Sequence, residues 1–247
     1  TKTPSMFGRP NIDGVFVDER QAMERARYLL AQAKYAVVRV LKVNAAGREE
    51  TVFEKAYRGG GKVTTIAAID SAAMCDDALE VYGFASRMTL LRLFRAYCDD
   101  QSVIPAEQLH RYYPLRHFER EATLFNPGLN RLATLQAPAL GVAPLDRQDT
   151  LLRLFARIKE LAQHAADLEP FDQALRRHGV AMLLADARAL RPAEELDRVV
   201  THAVATLLAP CRDWSAKVGA LLRVHDADAA ESTRVVDELL CETIDGR

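Results

Sequence analysis

The sequence lacks any apolar stretch that could cross a bilayer. Its longest runs, Val180 to Ala185 and Ala203 to Ala209 with one threonine inside it, fall far short of the roughly 20 residues a spanning helix needs. Residues 1–14 carry Lys2, Arg9 and two prolines but no apolar segment of the kind a secretory signal requires, so the expected location is the cytoplasm. Cysteine is scarce and scattered: Cys75, Cys98, Cys211 and Cys241 contain no C-x-x-C pair, which argues against both a disulfide framework and a short-spaced zinc site. Buried free thiols are predicted instead. Also missing are G-x-S-x-G, H-E-x-x-H, a dinucleotide fingerprint and any Ser-His-Asp spacing, so no cofactor is expected and the reading leans away from an enzyme.

Nor is there a large excess of one charge. The net charge of −1 gives no global pull toward nucleic acid or anionic lipid. The charge is unevenly spread, with 12 Lys+Arg against 7 Asp+Glu in residues 1–65 and 21 against 27 in the rest. An apolar fraction of 49% with 27% charged residues belongs to a folded globular chain. Abundant alanine and a preference for arginine over lysine fit a GC-rich bacterial gene.

Hydrophobic periodicity predicts an α+β protein, mostly helical: a small β-α-β-β-β unit over residues 1–70 with a largely antiparallel sheet, then an irregular helical bundle. Gly14 to Asp18 is a short strand candidate, and Asp18 can cap a helix whose apolar residues Ala22, Ala26, Leu29, Leu30 and Ala33 recur at three- and four-residue steps. Tyr35 to Val43 alternates in period two and is rich in β-branched residues. Asn44 to Gly47 supplies a turn, Thr51 to Tyr57 resumes the alternation, Gly59-Gly60-Gly61 turns again, and Val63 to Ile69 is a further strand candidate.

From Ser71, taken as a helix cap, the period becomes helical. A segment over 71–136 can pack on the sheet; within it Phe84 to Cys98 shows a wide apolar face, Pro105 suits a first helical turn with Glu107 favouring that end, and Asn126-Pro127-Gly128 reads as a breaker. Residues 137–144 are the best linker candidate. Over 145–247 the stripes Leu151, Phe155, Ile158, Ala162, then Leu196, Val199, Val200, Ala203, Val204, Leu207, then Val235, Val236, Leu239, Leu240, Ile244 predict a C-terminal bundle. Trp214, the single tryptophan, should pack into its core.

Four groups of residues carry candidate chemistry. Arg58, Gly59, Gly60, Gly61 and Lys62 could cradle an anion with backbone amides and a cation, although Val63 stands where a Walker loop needs Ser or Thr, and a plain hairpin turn fits the pattern better. His225-Asp226 resembles the metal dyad of HD-type phosphohydrolases, which would recruit His178 and His202 as further ligands; the competing reading makes Asp226 a helix cap. Arg111, Tyr112, Tyr113, Arg116 and Arg120 form a basic and aromatic patch suited to stacking bases, interrupted by Glu119 and Glu121. Arg87, Arg92 and Arg95 lie on an apolar helix, where an arginine pairs with a carboxylate or extends its charge to water.

These observations predict a bacterial regulatory or adaptor protein acting through protein–protein contact, with another protein or itself as partner. The sheet edge of residues 35–69 or an apolar helical groove would make the contact. A metal-dependent phosphohydrolase using His178, His202, His225 and Asp226 is the alternative, and a nucleic-acid binder, disfavoured by the net charge, is the third.

Overall fold

A computed structural model of the chain describes residues 12–31, 37–43, 49–56, 65–225 and 230–245. It is mostly helical with one small antiparallel sheet. The chain divides into two compact units, residues 1–57 and 58–247.

The first unit comprises helix α1 (Glu19–Ala31) and strands β1 (Val37–Val43) and β2 (Glu49–Ala56). Asp18 starts α1 as its sequence position suggests, its carboxylate accepting from the Arg20 N–H at 3.0 Å. The helical stripe delivers Ala26 and Leu29, and the strand alternation delivers Val38, to a core that Val40 and Phe53 flank. β1 pairs antiparallel with β2, with Val40 opposite Phe53 and Leu41 opposite Thr51. Val52 is therefore an extra residue, a bulge that shifts the register midway. Beyond it Leu41 and Val43 are exposed.

Two strand expectations are not met. Residues 12–18 form no regular element, with a bend at 17–18, and pair with no strand among the described residues; Val15 and Val17 stand in solvent. Residues 65–69 are irregular: the Ala67 N–H donates to the Leu93 carbonyl at 2.8 Å, and Ile66 and Ile69 pack into the helical core. Burial of both isoleucines against helices outweighs the weak strand preference of a run interrupted by Ala67 and Ala68. Within the described residues the first unit is α-β-β. The triglycine turn and Val63 lie outside them.

In the second unit, helices α2 (Ala78–Tyr82), α3 (Phe84–Leu93), α4 (Arg95–Gln101), α5 (Pro105–His110), α6 (Tyr112–Arg120), α7 (Ala122–Leu140) and α8 (Pro144–Gln163) come first. The first cap is Asp77, accepting from the Glu80 N–H at 2.9 Å, and not Ser71. Asn126-Pro127-Gly128 does not break the chain but lies inside α7. A proline in a helix interior costs about 3 kcal/mol; here the buried stripe Leu124, Phe125, Leu129, Leu132 and Ala133 outweighs it. Gly128 lets α7 approach so closely that a Cβ there would lie 2.1 Å from Phe94 Cζ.

The stretch 137–144 is not an open linker either. Ala137 to Leu140 form the last turn of α7; Gly141 at φ 66° then lets Val142 N–H bond back to the Ala137 carbonyl at 3.3 Å, and Pro144 begins α8. The remaining helices are α9 (Glu169–Leu190), α10 (Leu196–Leu208), α11 (Trp214–His225) and α12 (Ala230–Asp245). α9 is kinked at Gly179, whose φ of 82° and ψ of 179° only glycine adopts comfortably.

The second unit holds two apolar clusters. One gathers side chains from Ile69 to Ile158, with Phe94, Phe118, Phe125 and Phe155 linked edge to face. The other gathers Leu168 to Leu239, with Trp214 packed against it as its sequence position suggests. α5 joins them: Leu109 belongs to the first, Ala106 with the preceding Ile104 to the second, and all six residues of α5 are buried.

Candidate functional site

The side chains with the most unusual chemistry lie where the two clusters meet, around α5. Glu107 and Lys217 form an ion pair in which Lys217 Nζ donates to both carboxylate oxygens at 2.6 Å, each side chain being 1% exposed. Glu107 also accepts from the Ile104 N–H at 3.2 Å, so it satisfies a helix-start donor and a lysine together. Beside it, Arg87 of α3 donates to Glu242 of α12, to the Tyr82 carbonyl, and to Glu238 at 3.0 Å, while the other Glu242 oxygen accepts from the Ala106 N–H at 3.2 Å. Burial pushes the Glu242 carboxyl up despite the opposing pull of Arg87.

A histidine pair completes this region. The His110 ring stacks on Tyr82 with centroids 4.4 Å apart and meets His202 of α10 at 5.8 Å. Burial, reinforced by His202 and the neighbouring Arg87 and Arg198, holds His110 well below the ordinary imidazole range. Burial likewise lowers His202 to about 4 and raises Asp172, whose Oδ1 lies 3.8 Å from His202 Nε2, to about 6. Tyr82 is pushed up to about 12 by the same desolvation. The ion pairs of Glu107 with Lys217 and of Arg87 with Glu242 are spent on one another and fasten the two apolar cores, whereas His110 Nε2 and Asp172 Oδ1 are buried with no hydrogen-bond partner among the described residues.

The predicted site residues are dispersed. Arg58, Gly59, Gly60, Gly61, Lys62 and Asp226 lie outside the described residues. His178 is exposed on α9, His202 is buried against His110, and His225 at the end of α11 meets Asp237 at 3.1 Å. Among the described residues no three His, Cys, Asp or Glu side chains are placed to hold a metal ion. In the basic and aromatic patch, Tyr112 and Tyr113 meet edge to face at 5.4 Å, Arg116 lies over the Tyr112 ring at 5.8 Å, Arg111 is half-buried and Arg120 is exposed. The nearby Glu119 is paired with Lys159 at 2.8 Å. Of the three arginines weighed on α3 and α4, Arg87 is the paired one; Arg92 and Arg95 are exposed.

The four cysteines are free, as expected, but only Cys75 and Cys98 are buried; Cys211 is half-buried and Cys241 exposed. Burial raises the Cys75, Cys98 and Cys211 thiols, which keeps them protonated and poor nucleophiles. Lys217 and Glu242 escaped the sequence reading, although a signal existed. Glu242 follows Leu239 by three residues and Lys217 precedes Ala220 by three, so each sits in phase with an apolar stripe. A charge in a buried stripe implies a partner.

Among the described residues, two open surfaces stand out. A groove of about 420 Å³ runs between α9, α10 and α12, with Val180, Leu184, Leu196, Val200 and Val235 as apolar lining. Its charged wall includes Arg234, already bonded to Asp197 and Glu238. The other is the first unit, where Val15 (91% exposed), Val17 (107%), Val43 (62%) and Leu41 (44%) face solvent. No helix among the described residues is long and apolar enough to cross a membrane. Comparison of the chain with protein-family models, with curated proteins and with solved structures finds no match.

Proposed function

We propose that this chain is a bacterial regulatory or adaptor protein that works through protein–protein contact, with its N-terminal unit as the contact surface and the helical unit as the body it carries. The observation behind this reading is the exposed apolar set Val15, Val17, Leu41 and Val43 around a two-stranded sheet. Large apolar side chains held in solvent on one small unit point to an interaction site, and a strand edge offers backbone donors and acceptors to an incoming chain. The buried ion pairs support the second half of the reading, because groups locked to one another at 1% exposure serve rigidity and not turnover.

The test is site-specific photocrosslinking in the native host. A photoreactive residue at position 43 should give discrete protein adducts, one at position 149 on the exposed face of α8 should not, and Leu41→Asp should abolish the adducts from position 43. Equal adduct patterns from positions 43 and 149 would refute the proposal.

A further inference from the structure

We draw no further inference here: the strongest candidate, the groove between α9, α10 and α12 with its apolar lining of Val180, Leu184, Val200 and Val235, carries none, because the charges Arg234 and Asp197 on its wall are bonded to each other and nothing in the structure shows what covers it.

Discussion

At the scale of single residues the buried charges decide most. Lys217 and Glu107 are each 1% exposed, too buried for bulk solvent to stabilise either charge alone, so Lys217→Met should destabilise the helical unit by about 3–5 kcal/mol, while Lys217→Met with Glu107→Leu should recover most of that loss. Denaturant titrations of the single and double variants read this directly, and additive losses would show that the pair is not coupled. His110 gives a pH prediction. Its folded imidazole is held well below 6.5, so below that pH the unfolded chain takes up a proton that the native chain does not, and stability falls as pH falls. His202 and Asp172 add little between pH 4 and 6: the unfolded chain carries one proton on the histidine, whereas the native chain, with His202 near 4 and Asp172 near 6, carries it on the aspartate. Relative to His110→Phe, which keeps a ring against Tyr82, the wild type should lose about 1.4 kcal/mol per pH unit below pH 6. A difference that does not change between pH 7 and 5 would disprove it.

At the scale of elements, α7 shows packing overriding local preference. Substituting alanine in a helix ordinarily stabilises by about 1 kcal/mol over glycine. Gly128→Ala should do the reverse, costing about 1–3 kcal/mol, because its Cβ would fall 2.1 Å from the end of a Phe94 ring that is 1% exposed and held edge to face against Phe118 at 4.7 Å. Phe94→Leu should relieve part of that cost in the double variant, which thermal unfolding of the four proteins would reveal. The same element marks the limit of sequence reading. Asn126-Pro127-Gly128 carries every local sign of a break, and the countervailing term, the fit of α7 onto Phe94, comes from a residue more than thirty positions earlier in the chain. By contrast α1, β1 and the stripe Leu151, Phe155, Ile158, Ala162 were legible, because period and burial agree there.

At the scale of the molecule, a unit of one helix and a two-stranded sheet and another with two extended helical cores should not unfold together. Hydrogen exchange should show β1 and β2 opening at lower denaturant than α3, α5 and α10; a single cooperative loss across both units would contradict this. The sequence by itself determined the helical majority, the positions of α1 and the hairpin strands, and the apolar faces of α8, α10 and α12, since each follows from spacings of two to four residues. Only the tertiary structure decided that 65–69 joins helices instead of a sheet, that 137–144 is a capped helix turn, and which charges are buried. Glu107 finds Lys217 across 110 residues and Arg87 finds Glu242 across 155. The period marks each of these charges as facing a core but names no partner, because what fixes the pairing is the meeting of two cores at α5 and the cost of leaving either charge there alone.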